Sequence, residues 1–344
     1  MIDWAAGYAA TWKVYTVNPD TWADSAEVAG FESAQVERQA NGALVESGRL
    51  TFDSEPGEQL VEGYFRLAMV ARQGQSVERV DVATLLCSSD SGDVSRGRAI
   101  SSVTGRSVLY PASTALLTSG SYAPRGCNGA QFAADMVSQH IAAPVTVDCS
   151  FTLGSHVVFD LGSSALAAAW SVLDAGNCCF QIHGDGSVHV VKRGGAPSLE
   201  LDAAGASMIQ PKVSYSSDLS GIPNRYIAVD GDAVAIAANT DANSRTSIPS
   251  RGFRIDVVDS APKPIEGETL QEYAERRLAE ESVVREERTY TREWWPDVYP
   301  YSTVRGSMPS VLLEGDMEVT SQSVQCSRGA LVTEKAEMAH YEWR

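Results

Sequence analysis

Along the first third of the chain, apolar and polar positions alternate with the period of a β-strand. Phe65, Leu67 and Met69 alternate with Arg66, Ala68 and Val70, and Val80, Val82 and Thr84 alternate with Asp81 and Ala83. A period of two places successive side chains on opposite faces, so both runs predict strands. Thr11-Trp12-Lys13-Val14-Tyr15-Thr16-Val17 is aromatic and β-branched, which suits a pleated surface. Asn41-Gly42, between Val36 and Leu44, predicts a two-residue hairpin reversal. Residues 1–113 therefore read as a first β-barrel or sandwich domain.

After Tyr110-Pro111 the period changes. Asn128 is placed to cap a helix with Gln131 three residues on, and Phe132, Met136, Val137 and His140 fall on one face before Pro144 stops it. Ser163 is read as the cap of a second helix with Leu166, Trp170 and Leu173 in a stripe and Gly176 at its end. Cys178–Ile182 and Ser187–Val191 flank His183-Gly184-Asp185-Gly186, a glycine-bearing reversal, and Gly194-Gly195-Ala196-Pro197 reads as an exit. Residues 114–197 thus form an α+β insert.

In residues 198–344 the strand pattern returns as a second β-barrel domain with one helix. Asn224–Val229 and Ala233–Ala237 flank Asp230-Gly231-Asp232, Asn243–Arg251 reads as a polar loop, and Thr289–Thr291, Val311–Leu313 and Glu318–Thr320 read as strands. The helix, about 269–284, opens on Thr269 with Glu272 completing a capping box, and carries Leu270, Tyr273, Ala274, Arg277 and Leu278 along one side. The expected fold class is mainly β: two β-barrel or sandwich domains separated by a small α/β domain.

Composition narrows the functions. The 344 residues carry a net charge of −17 and 21% charged side chains, and no basic cluster of the kind that neutralises phosphates, so non-specific nucleic-acid binding is excluded. The start Met1-Ile2-Asp3-Trp4-Ala5 lacks a basic, apolar leader, and the most apolar helical stretch, Ser163–Ala175, is far short of the ~20 residues that span a bilayer; no membrane anchor is expected. Cys87, Cys127, Cys149, Cys178, Cys179 and Cys326 show no Cys-x-x-Cys pair and read as buried free thiols, with assembly in a reducing cytoplasm.

The sequence holds no Gly-x-Ser-x-Gly elbow, His-Glu-x-x-His helix, Walker loop or Gly-x-Gly-x-x-Gly turn. His183 and His189, with Cys178 or Cys179, are a conceivable zinc set, but packing is the better reading of two imidazoles on one hairpin. Asp230 and Asp232 lack the later oxygen ligands of a calcium loop and are read as turn residues. No catalytic residue, cofactor or metal is expected. Trp294-Trp295-Pro296-Asp297-Val298-Tyr299-Pro300-Tyr301 stands out: Trp294, Trp295, Tyr299 and Tyr301 either form a partner-binding patch, since Trp and Tyr dominate interface hot spots, or plug the end of a barrel.

Taken in order, three pieces resemble the hub proteins of phage tails and related injection machines: the insert's run Ser163–Lys192, the strand Ile222–Val229, and the helix segment Thr269–Leu278. The resemblance implies a structural protein and not an enzyme. It implies a homotrimer whose two barrels per chain alternate around a ring, matching a sixfold tube. Its partners would be tail-tube and distal-tail proteins on one face and a spike or fibre on the other, with DNA passing unbound through an acidic lumen, at the virion tail tip. The alternatives are a carbohydrate-binding or glycan-hydrolysing tail protein, for which Trp294, Trp295 and surface acids would work, and the hub of a contractile injection or secretion system.

Overall fold

The computed structural model describes residues 2–54, 62–95, 98–202, 209–260, 262, 268–327 and 329–341. Strands β1 (Ala9–Val17), β2 (Asp24–Val28), β3 (Phe31–Gln39), β4 (Glu46–Ser54), β5 (Gly63–Gln73), β6 (Ser76–Ser95) and β7 (Arg98–Arg106) lie in the spatial order β2-β1-β5-β6-β7-β4-β3. Every pair is antiparallel, and the sheet curls enough to bring β1 against β3. The inward positions of the alternation, among them Val14, Val36, Leu50, Leu67, Met69 and Leu85, fill one core. Strand β5 departs from the expected alternation: Phe65, Arg66, Leu67, Ala68 and Met69 are all buried, because the insert covers its outer face.

The insert comprises α1 (Tyr110–Thr114), β8 (Ser121–Ala123), α2 (Gly129–Ser138), β9 (Val145–Val147), β10 (Val157–Phe159), α3 (Ala165–Ala175), β11 (Cys178–Ile182) and β12 (Val188–Lys192). Asn128 caps α2 by accepting from the Ala130 and Gln131 amides, but Gln131 turns to Asp135 and closes no capping box. Ser164, not Ser163, caps α3, because a bridge pairs Ser164 with Leu116 and sets where the helix starts. Gly176 ends α3 at φ −104°, and Asn177 takes the left-handed position at +51°. Strands β9, β12 and β11 make a small sheet over a core that includes Val137, Leu166, Leu173, Phe180 and Val190.

The rest of the chain holds β13 (Leu199–Leu201), β14 (Ile209–Ser217), β15 (Arg225–Asp230), β16 (Ala233–Ala238), α4 (Ile248–Arg251), β17 (Asp256–Asp259), α5 (Leu270–Glu281), β18 (Val283–Glu293), β19 (Thr303–Met308), β20 (Leu313–Ser327) and β21 (Gly329–Tyr341). Six of these lie in the order β13-β19-β20-β21-β18-β14, and β20 also pairs with β3, so strands from both ends of the chain share one thirteen-stranded sheet.

The two halves repeat. In chain order, β1, β3, β4, β5, β6 and β7 correspond to β13, β14, β18, β19, β20 and β21. Writing each counterpart into the first order, β1-β5-β6-β7-β4-β3, returns the second. The long strands β6 and β20 also match: each slips phase partway, β6 by a bulge between Cys87 and Ser89 and β20 where its buried positions step from Met317 and Val319 to Gln322, Val324 and Cys326. The halves differ in that β2 belongs to the first alone, that β15, β16, β17 and α5 intervene between β14 and β18 where residues 40–45 join β3 to β4, and that β13 runs parallel to β19 where β1 runs antiparallel to β5.

Compactness cuts the chain at other places than the three-part division 1–113, 114–197 and 198–344. One unit holds residues Met1–Val213 and Thr289–Ala336, the other Ser214–Arg288 and Glu337–Arg344. From sequence, the Asp230–Asp232 hairpin and the 269–284 helix are expected within the second β-barrel domain; in the structure they stand outside the thirteen-stranded sheet. They form a separate three-stranded sheet, β16-β15-β17, whose core of Tyr226, Ala228, Ala235 and Ala237 is covered by Tyr273, Ala274 and Leu278 of α5. Helix α5 keeps its Thr269/Glu272 capping box but stops at Glu281.

Three local expectations change. Six residues, 40–45, separate β3 from β4 around Asn41-Gly42, because the ladder already ends at the Arg38–Glu46 pair. Asn243–Arg251 contains the short α4, capped by Ser247 and begun by a Pro in its first turn. The strand expected at Val311–Leu313 begins only at Leu313, the first residue of β20: Pro309–Val311 form a 3-10 turn and Leu312 adopts φ +62°. Among the described residues no helix is long and apolar enough to cross a membrane.

Candidate functional site

Where β3 meets β20, from Ala34 opposite Cys326 to Gln39 opposite Ser321, the two halves are joined by buried charge. Arg38 is 1% exposed; its Nε donates to Glu46 Oε1 at 2.8 Å, one Nη donates to the Val82 carbonyl, and the other donates to Gln322 Oε1 at 3.4 Å. Gln322 Nε2 donates in turn to Glu334 Oε1 at 2.7 Å and to the Val298 carbonyl at 2.9 Å. Arg292 grips Glu334 with Nε at 2.8 Å and Nη2 at 2.5 Å, and neither side chain is exposed. Burial pushes the Glu46 carboxyl up, against the pull of Arg38. Such a network contributes little net stability compared with apolar packing, but any single deletion strands a buried charge.

The sequence pattern held the signal for these residues. Arg38 follows Ala34 and Val36 on the inward phase of β3, and Glu334 lies between Val332 and Ala336 on the inward phase of β21. A charged residue at an inward strand position must find a partner or cost several kcal/mol.

The insert is fixed to the sheet by the tip of the β11–β12 hairpin. Thr84 Oγ1 donates to the Gly184 carbonyl at 3.0 Å, while Arg66 Nη2 and Trp22 Nε1 donate to the Asp185 carbonyl at 2.9 and 2.8 Å. The approach demands glycine: a Cβ on Gly184 would lie 1.8 Å from the Asp81 carbonyl oxygen, and Gly186 combines φ +80° with a Cβ site 2.6 Å from the Thr84 side chain.

The aromatic segment 294–301 lies largely inside. Trp294, Tyr299 and Tyr301 are buried and Trp295 is half-buried, so for three of the four the arrangement is that of packing residues. Trp294 joins Trp4 edge to face, and its carbonyl accepts from Tyr8 Oη at 2.7 Å. Tyr299 stacks on His183 at 4.6 Å, which stacks on His189 at 3.8 Å. Arg193 covers the Tyr301 ring at 4.6 Å. The segment thus ties sheet to insert a second time.

Beside the stack lies a cavity of about 330 Å³ lined by Asp148, His183, Asp297 and Tyr299 among others. Asp148 Oδ2 meets His189 Nδ1 at 2.6 Å, and His189 Nε2 meets Ser187 Oγ at 3.1 Å, an acid, imidazole and hydroxyl in sequence. The hydroxyl is committed elsewhere: it donates to Asp185 Oδ1 at 2.6 Å, Ser187 is 8% exposed, and it does not line the cavity. The chain of bonds braces the hairpin turn. His183 and His189 stack face to face, and burial, then the neighbouring His189, hold the His183 pKa below its ordinary value. All six cysteines are free thiols, with Cys149 Sγ 3.5 Å from Cys178 Sγ.

The repeated sheet with an α+β insert is similar, at the level of fold, to solved phage tail proteins. A tail protein from Neisseria meningitidis MC58 superposes with a TM-score of 0.66 at 13% identity, over 96% of this chain and 97% of that one. The 43 kDa tail protein of prophage MuSo2 from Shewanella oneidensis gives 0.65 at 10% identity, over 95% and 98%. An Escherichia coli type VI secretion component, described as similar to the T4 tail proteins gp27 and gp5, gives 0.52 at 8% identity, over 91% and 75%. No protein-family profile and no curated sequence matches the chain. The likeness to tail hubs read from the sequence therefore holds at the level of fold.

Proposed function

We propose that this chain is the hub of a phage-type tail tip, a structural subunit that closes the end of the tail tube. The observation that carries the reading is the repeat: one polypeptide supplies two halves of one sheet with the same strand order, so three chains supply six comparable positions. Such a trimer matches a sixfold tube on one face and a threefold spike or fibre on the other, and a closed ring leaves no contact of this kind unpaired. The net charge of −17 fits a lumen that lets DNA slide without binding it. The role is mechanical, with no chemistry of its own, and it is exercised in the virion tail after assembly in the host cytoplasm.

A second reading, the hub of a contractile injection or secretion machine, is favoured by the likeness to the type VI component. Mixing the purified chain with assembled tail tubes and imaging by negative-stain electron microscopy tests the role. Density confined to tube ends supports a hub; binding along the tube wall, or none, refutes it. The type of tube that is capped separates the two readings.

A further inference from the structure

We infer that the cavity lined by the 40–45 connection and helix α3 binds a neutral sugar, a pyranose ring with free hydroxyls. A site of this kind goes beyond the hub reading and does not depend on it.

The cavity has a volume of about 560 Å³, inside the roughly 300–1,000 Å³ range of small-molecule sites. Asn41 reaches it from the connection between β3 and β4, Trp170, Ser171 and Asp174 from α3, Arg193 from just past the end of β12, and Tyr301 from the turn before β19. All of them lie in one compact unit. Trp294 and Trp295, the pair that sugar binding would use on sequence grounds, line no part of it.

The walls are strained and braced. Tyr301 has φ +69° and Val45, at the end of the 40–45 connection, has φ +62°, conformations that aromatic and β-branched residues rarely adopt and that gather at ligand sites. Trp170 Nε1 donates to the Ala43 carbonyl at 3.0 Å, and the indole packs edge to face on Phe180 at 5.2 Å, its plane 44° from that of Tyr301. Two aromatic rings are thereby held at a fixed angle.

The lining selects the kind of ligand. Its one cation and one anion, Arg193 and Asp174, pair with each other, Nη2 donating to Oδ1 at 3.0 Å, so no net charge is left to choose an ionic ligand. Hydrogen-bonding capacity remains. Arg193 also interacts with the Cys179 thiol and its buried Nε has no acceptor, which leaves most of the guanidinium's five N–H donors to be placed. Asp174, 61% exposed, keeps its second oxygen. Among the described residues nothing hydrogen-bonds the Asn41 amide side chain or the Tyr301 hydroxyl. Burial pushes that hydroxyl up to about 12, so it stays protonated and can both donate and accept. Ser171 Oγ donates to the Ala168 carbonyl at 2.7 Å and keeps lone pairs to offer.

Donors and acceptors set around two aromatic rings match a ligand with hydroxyls on its rim and C–H groups on its faces. A phosphate or carboxylate would meet Asp174, and an apolar ligand would leave these polar groups covered without partners.

Saturation-transfer difference NMR on the full chain checks this, with the methyl glycosides of glucose, galactose, mannose and N-acetylglucosamine as probes and methyl glucuronide as the anionic comparison. At least one neutral glycoside should receive saturation and titrate to a single site. Asp174→Ala should weaken its binding about tenfold, the worth of a hydrogen bond to a charged group, and Asn41→Ala should weaken it severalfold. Both changes fall on exposed side chains, and melting curves that match the wild type confirm the fold. No saturation of any neutral glycoside at its solubility limit, affinity unchanged in both variants, or tighter binding of the glucuronide each overturns the assignment. Tube capping by the two variants should match the wild type, so failure here leaves the hub reading untouched.

Discussion

Arg292→Met should be among the most damaging single substitutions in the chain, although neither Arg292 nor its partner Glu334 reaches the surface. Arg292 and Glu334 are both fully buried and joined by two bonds of 2.8 and 2.5 Å. Methionine fills much of the volume but leaves the Glu334 carboxylate with Gln322 as its donor at 2.7 Å. Breaking a buried pair from one side costs about 3–5 kcal/mol. At roughly 2–4 °C per kcal/mol for a body of this size, the midpoint should fall by roughly 6–20 °C. Adding Glu334→Leu removes the stranded charge and should restore most of the loss, a coupling of the kind that double-mutant cycles isolate. Urea unfolding followed by tryptophan fluorescence and circular dichroism, on wild type, both singles and the double, measures all four corners. A single-variant cost below about 1 kcal/mol, the range of an exposed pair, or a double variant whose cost equals the sum of the singles, would refute the claim that this seam is sealed from water.

Gly184→Ala should lift the insert off the sheet, because a Cβ there meets the Asp81 carbonyl at 1.8 Å while nothing lies near Gly195; overpacking of this kind costs about 1–3 kcal/mol or more, seen as faster proteolysis of the insert, with Gly195→Ala as the silent control. His183 is held below its ordinary pKa by burial and by His189, so the unfolded chain binds its proton more readily; its contribution is complete above about pH 6.5 and is lost as pH falls through the folded value. The fall in stability between about pH 6.5 and 5 should be smaller in His183→Phe, and equal slopes in the two proteins would contradict it. Thr269→Ala opens the capping box of α5 and should cost about 1 kcal/mol, read as faster amide exchange in the first turn of that helix and not in the large sheet.

Much of this fold was legible because much of it is local. Strand alternation located β5 and β6, aromatic and β-branched content located β1, and cap chemistry at Asn128, Thr269 and Glu272 located two of the helices, since these signals act within a few residues. Strand pairing is not local. Asp230-Gly231-Asp232 announces a hairpin but not which sheet receives it, and the hairpin went to the small sheet under α5 rather than to the second half of the large one. The repeat was visible only as two strand-rich regions, because its content lies in spatial order. The seam was missed for a different reason. Arg38, Glu46, Gln322, Glu334 and Arg292 look individually like surface residues, and only their phase against Val36, Val324 and Val332 marks them as inward. For the aromatic segment, hot-spot chemistry and core packing call for the same residue types; the burial of Trp294, Tyr299 and Tyr301 was not readable from composition.

The account depends on one polypeptide behaving as two neighbouring members of a collar. Cryo-electron microscopy of the assembled particle, reconstructed without imposed symmetry, addresses that directly. Three chains should appear, with both halves of each chain's sheet at a common radius and a tube-facing surface that repeats every sixty degrees. A ring built from another number of chains, or a trimer in which the two halves of each chain's sheet occupy unequal radii, would contradict it.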